Sequence, residues 1–232
     1  MKKAIGHMRG FIRKYRHAWV FIYIPFYLLW FFRLEKTTQP THMHIINFAA
    51  DSMIPFCEYF IIPYYFWFIY IFATGFYFFL TNRRDFYRYC LFLFTGMSIC
   101  LFVCQIWPNG INLRPDLNAL GRDNIFIDMV KELYRVDTPT NVCPSIHVLN
   151  SIGATLAILK SEALMNRKPV RIASVVICLS ICASTVLLKQ HSCFDVLCGI
   201  GLSIVLYLLT YNLKFSKIEA DVKSEEELLQ HA

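Results

Sequence analysis

From Tyr59 to Leu80 the chain runs 22 residues without a charged side chain. A helix of that length rises about 33 Å, enough to cross the hydrocarbon core of a bilayer. A soluble fold of 232 residues can bury a good core but cannot hide several such runs. The composition agrees: 56% hydrophobic and 16% aromatic against 17% charged, with mean hydropathy +0.45. The sequence therefore predicts an all-α, polytopic membrane protein.

Apolar runs between charges predict six spans: Ala18–Phe32, Tyr59–Leu80, Tyr89–Trp107, Ser145 to about Leu159, Ile172–Leu188 and Val196–Leu213. A span of about 15 residues rises only about 22 Å. The first and fourth must then extend into flanking residues, be shielded by neighbours or thin the bilayer. The first run follows a basic stretch as a signal peptide would, but Arg33-Leu34-Glu35-Lys36 offers no small-x-small cleavage site, and the run is expected to stay as an anchor.

Six spans put both termini on one side of the membrane. Of the 23 Lys and Arg residues, 16 fall on that side and 7 on the other, so the positive-inside rule predicts cytoplasmic termini. The net charge of +7 is distributed between spans as a topology signal and does not form a patch for nucleic acid. The chain reads as a single integral membrane domain in the plasma membrane. It comprises a basic segment 1–17, an external loop 108–144, spans over about 145–213 that carry the chemistry, and a cytoplasmic tail 214–232. The segment Thr37–Phe56 reads as an interfacial helix, with Asp51 and, just beyond it, Glu58 as interfacial polar residues. His42-x-His44 reads as polar loop and not as a metal site. The nine cysteines lack CxxC pairs, and most lie inside apolar runs as small buried hydrophobes.

Ionisable residues at span boundaries are the informative ones, because burying them is costly. Three groups qualify: Arg114-Pro115 in the external loop, Pro144-Ser145-Ile146-His147 opening the fourth span, and Lys189-Gln190-His191-Ser192-Cys193-Phe194-Asp195 between the fifth and sixth. The 44 positions from His147 to His191 allow one span inward, a basic turn and one span outward, which returns both histidines to the external face. His191 and Asp195 are four apart, so on a helix the carboxylate lies one turn from the imidazole and can orient it as a nucleophile or base. Ser145 after Pro144 is placed to cap a helix whose free N–H groups favour an anion. Arg114 and Lys189 can add charge-assisted donors to the same phosphoryl oxygens, although Lys189 equally suits snorkelling to the interface. Taken alone, His191 with Asp195 is just as well a structural pair. Pro144-Ser145-x-His147 on the same face tips the reading to chemistry. Cys143 and Cys193 also lie on that face, where chance placement and a disulfide both fit.

These three segments resemble the signature motifs of the type 2 phosphatidic acid phosphatase family, the membrane lipid phosphate phosphatases related to vanadium haloperoxidases. The stretch Tyr134-Arg135-x-Asp137-Thr138-Pro139-Thr140-Asn141-x-x-Pro144-Ser145-x-His147 further resembles the branch that includes inositol phosphorylceramide synthases. The resemblance covers about Trp107 to Gly199. It implies a six-helix bundle in which His191 attacks phosphorus, Asp195 orients it, and His147 protonates the departing alcohol. Arg114 and Ser145 hold the phosphoryl oxygens, with no metal or cofactor. Two departures stand out: Trp107 occupies the position of a family lysine and Thr185 that of a family arginine. Lys189, Arg122 and Arg135 are candidate replacements. The expected function is a metal-independent lipid phosphatase working through a phosphohistidine. A phosphotransferase moving a phospho-headgroup between lipids is the alternative, and a non-catalytic lipid transporter or scaffold is the reading of another class. The partners expected are the lipid phosphate and the surrounding membrane lipids, and nothing in the chain points to a protein partner.

Overall fold

The computed structural model describes residues 14–38 and 43–212. Most of the basic N-terminal segment, His42 and the predicted tail lie outside the described residues. Seven α-helices carry the described architecture: α1 (Tyr23–Thr37), α2 (Ile61–Thr81), α3 (Arg83–Ile106), α4 (Ile125–Val136), α5 (Ile146–Lys160), α6 (Lys168–Leu187) and α7 (Cys193–Tyr207). Turns of 3-10 helix lead into α1 and α2, and α7 runs on into a π-helical turn at Leu208–Asn212. Five helical stretches are long and apolar enough to cross a membrane: Arg16–Thr37, Glu58–Thr81, Arg83–Ile106, Lys168–Leu187 and Cys193–Tyr211.

The sixth expected span, α5, has only 15 residues, and its packing explains why it can be short. It is enclosed by α2, α3, α6 and α7. Nine of its residues are buried, so its length has to match its neighbours and not the lipid. Small side chains allow that close approach. A methyl group added to Gly153 would stand 2.6 Å from the Phe92 ring, and one added to Gly96 of α3 would stand 2.6 Å from Leu149. The outer helices carry the opposite pattern. Phe26 and Leu29 of α1, Phe68 and Phe72 of α2, Leu179 of α6 and Ile204 of α7 are exposed, which makes an apolar girdle of the kind lipid covers.

The segment from 43 to 57 is not the interfacial helix expected from its composition. It holds a two-residue strand, β1 (His44–Ile45), and a 3-10 turn at Ala49–Ser52. β1 pairs in parallel with β2 (Asn109–Gly110), and Gly110 also bridges to Thr140. Its polar groups are bonded to the loops at one end of the bundle, which holds it against protein. Conversely, the loop 108–144 contains a helix that the turn-rich sequence did not suggest. In α4, Ile127, Val130 and Leu133 point inward onto Ile61, Tyr64 and Leu188, and Asn124 caps its first turn.

Gly153→Ala should destabilise the protein by about 1–3 kcal/mol, as overpacking of a filled interior does. Gly201→Ala, where nothing lies within 4 Å, should not. Both positions are helical, so a difference in thermal unfolding temperature in detergent isolates packing from helix propensity.

Candidate active site

The turn between α6 and α7 builds one half of the site. Thr185 is fully buried, and its carbonyl accepts from the backbone N–H groups of both Gln190 and His191 at 3.0 Å. Ser192 caps α7: its hydroxyl accepts from Phe194 N, and its own N–H donates to Asp195 Oδ2 at 2.8 Å. Asp195 is thus the acidic partner of a capping box. The same oxygen lies 3.4 Å from His191 Nδ1, within ion-pair distance but without hydrogen-bond alignment. His191 precedes the helix, so the juxtaposition arises from the cap and not from the one-turn helical spacing expected of residues four apart. His191 is 7% exposed and Asp195 is fully buried.

The start of α5 builds the other half. Ser145 is the N-cap, its hydroxyl accepting from Val148 N at 3.5 Å and its N–H donating to the Asp195 carbonyl at 3.2 Å. The segment preceding it is held by Asn109, fully buried, whose side-chain oxygen accepts from Val142 N (3.0 Å) and Cys143 N (2.9 Å). The Asn109 amide donates to the carbonyls of Trp107 and Cys143. The Cys143–Pro144 peptide is cis.

These two halves bring His147 Nδ1 to 3.3 Å from His191 Nε2. Tyr64 and Trp67 of α2 lie against the His147 ring, with centroids at 4.7 and 4.5 Å, and close it off on the α2 side. Neither aromatic was singled out from sequence, because an aromatic in a Phe- and Tyr-rich span carries no signal until a partner faces it.

Arg114 is the hub of the adjoining loops. It donates to the carbonyls of Tyr134 (3.1 Å) and Asp137 (2.6 Å) and to the side-chain oxygen of Gln190, and it lies 4.3 Å from the centre of the Tyr134 ring. Burial pulls its guanidinium below the ordinary arginine range, against which the Asp137 carboxylate pushes it back. Asp137 in turn accepts from the Tyr64 hydroxyl at 2.8 Å, and Tyr134 donates to the Leu188 carbonyl at 2.7 Å. Arg114 is therefore tied to Gln190, the residue before His191.

The remaining candidates are placed as follows. Lys189 is 9% exposed, and its ammonium donates to the backbone carbonyls of Asp51 (2.9 Å) and Ile54. Asp51 and Glu58 are buried and not interfacial: Asp51 accepts from Ser192 Oγ and Cys193 N, and Glu58 from Arg122 at 2.7 Å and Asn124 at 3.2 Å. Arg135 pairs with Glu132 on an exposed helix face. Trp107 ends α3, stacks on His44 with ring centres 5.7 Å apart, and packs against Ile46, Ile111, Val142 and Cys143. Thr185 Oγ1 donates to the Cys182 carbonyl. Trp107 is thus packed in an apolar cluster, and Thr185 presents a buried hydroxyl. All nine cysteines are free thiols, Cys143 and Cys193 included. Among the described residues no group of three or more His, Cys, Asp or Glu side chains could hold a metal ion.

A helical membrane domain with this histidine pair at one end defines a class, and comparison with known families agrees. Residues 89–219, more than half of the chain, match the PAP2 superfamily. The chain belongs to that superfamily, which generally comprises phosphatases and related phosphotransferases and suggests a function of the membrane lipid phosphatase type. No curated protein and no solved structure gives a significant match.

Asn109→Ala would leave the N–H groups of Val142 and Cys143 without their acceptor. Each orphaned buried group costs about 1–3 kcal/mol. The expected result is a lowered unfolding temperature in detergent, while Asn118→Ala, on the exposed loop surface, leaves it unchanged.

Proposed function

We propose that this protein is a metal-independent lipid phosphatase that works through a phosphohistidine at His191. The observation that carries the reading is the double engagement of one imidazole. His191 has Nδ1 3.4 Å from a buried carboxylate and Nε2 3.3 Å from a second histidine. A carboxylate this close to Nδ1 favours the proton on that nitrogen, which leaves the lone pair on Nε2 for attack.

In the reaction proposed, His191 Nε2 attacks phosphorus as the P–O bond to the lipid alcohol breaks, and His147 gives its proton to the departing oxygen. Water, deprotonated by His147, then attacks the phosphohistidine, releasing phosphate and restoring both imidazoles. Arg114 and Ser145 hold the phosphoryl oxygens. Asp195, already fixed by the cap of α7, offsets the positive charge that develops on His191. In the membrane, α5 joins the five long helices as a short sixth span. Both termini are then cytoplasmic, and the site opens on the non-cytoplasmic face of the plasma membrane.

A second reading, phosphotransfer to a lipid alcohol in place of water, is favoured by one observation. Trp107 and Thr185 stand where the family's other phosphate cations would be, so a less charged phosphodiester suits this pocket better than a monoester dianion. The Tyr134 to His147 stretch, similar to the inositol phosphorylceramide synthase branch, supports the same reading.

The test is turnover of a panel of lipid phosphates by purified protein in detergent with EDTA, products being followed by mass spectrometry. His191→Ala should abolish turnover without loss of folded protein, and His147→Ala should slow it by about 10²–10⁴-fold, the range for a lost acid–base group. EDTA should have no effect. Free phosphate marks the phosphatase, and a new phospholipid formed only with added acceptor marks the transferase. Turnover by His191→Ala at the wild-type rate would refute the mechanism.

A further inference from the structure

The segment from Asp51 to Cys57 grips the α6–α7 turn on both sides of His191. Lys189, two residues before the histidine, donates its ammonium to the carbonyls of Asp51 and Ile54. Immediately after it, Ser192 Oγ and Cys193 N donate to the two carboxylate oxygens of Asp51, at 2.6 and 2.7 Å. A third tie runs from Cys57 N to the Leu187 carbonyl at 3.0 Å. Every side chain in this grip is buried: Asp51 5%, Lys189 9% and Ser192 0% exposed.

Lys189 also has φ +55°, a left-handed conformation that favours glycine. A side chain is kept here at a backbone cost, and the bonds its ammonium makes are to carbonyls of the gripping segment. Neither Lys189 nor Asp51 touches the His191 ring. Both act on its backbone and on the cap that carries Asp195.

We propose that Asp51 and Lys189 are positioning residues for His191, a clamp that fixes the imidazole between Asp195 and His147. This assigns Lys189 to the clamp and not to substrate phosphate, and it rests on the reading of His191 as nucleophile. A displacement of about 1 Å at a reacting group can cost about 10²-fold in rate, so the clamp acts on kcat.

The experiment compares full-length Asp51→Ala, Asp51→Asn, Ser192→Ala, Lys189→Met and Lys189→Arg in detergent. It measures kcat and KM on the best lipid phosphate of the panel, inhibition by inorganic phosphate, and carbethoxylation of His191 by diethyl pyrocarbonate read by mass spectrometry. Asp51→Ala and Lys189→Met should lower kcat by about 10–100-fold with KM and phosphate inhibition within about threefold of wild type. Faster modification of His191 should accompany this loss. Ser192→Ala and Asp51→Asn, each removing part of the grip, should fall between, which keeps the test open if Asp51→Ala fails to fold. Lys189→Arg should recover most of the rate. The clamp is wrong if folded Lys189→Met keeps its kcat and weakens phosphate inhibition tenfold or more, or if every folded variant keeps wild-type kcat and His191 reactivity. Failure of the underlying reading is separate: His191→Ala would then stay active, and the modification rates would still score the clamp.

Discussion

The first N–H groups of an α-helix have no partner within the helix, and when that end is buried other acceptors must be found for them. At the start of α7, Ser192 and Asp195 are buried, Cys193 is half-buried and Phe194 is exposed, and protein atoms supply the acceptors. Asp195 takes the N–H of Ser192, Asp51 that of Cys193, and the Ser192 hydroxyl that of Phe194. Because His191 leads directly into this cap, satisfying a helix terminus also sets where an imidazole stands. The carboxylate that completes the capping box is the one beside the imidazole.

The second constraint comes from packing. A polar site at one end of a membrane bundle needs helices that converge, and convergence depends on a central helix thin enough to be surrounded. Gly153 and Ala154 let α5 sit against Phe92 and Leu93, and Ser145 at its head lies close enough to α7 to donate to the Asp195 carbonyl. His147 rides on that first turn. The 3.3 Å approach of the two histidines thus depends on small side chains along α5 as much as on the residues beside the rings.

The site is built from few charges. Arg114 is a cation tied directly to Gln190, the residue before His191, and it is also a structural tie to Tyr134 and Asp137. The buried amide nitrogen of Gln190 and the Nε of Arg114 have no hydrogen-bond partner among the described residues. Membership of the PAP2 superfamily suggests the general chemistry, while Trp107 sits in an apolar cluster and Thr185 is fully buried.

Much of this was legible in the chain. The apolar runs marked the five long helical stretches to within about six residues, because the hydrocarbon thickness sets a minimum apolar length for a helix that crosses it. The three short motifs marked residues that the fold then gathers at one end of the bundle. The helix α4 was also readable in principle, since Asn124 and the spacing of Ile127, Val130 and Leu133 are an amphipathic signature, but turn-forming residues on either side obscured it. By itself, then, the sequence determined the membrane class, the approximate course of the long apolar helices and the identity of the histidine pair, all of which follow from local composition and spacing. The partners were decided only by the tertiary structure: Asp51 under the cap, Lys189 on backbone carbonyls, Asn109 behind Cys143, Tyr64 and Trp67 against His147. These contacts join residues 34 to 142 positions apart, and a hydrogen bond between such residues depends on how whole helices pack, which no local pattern encodes.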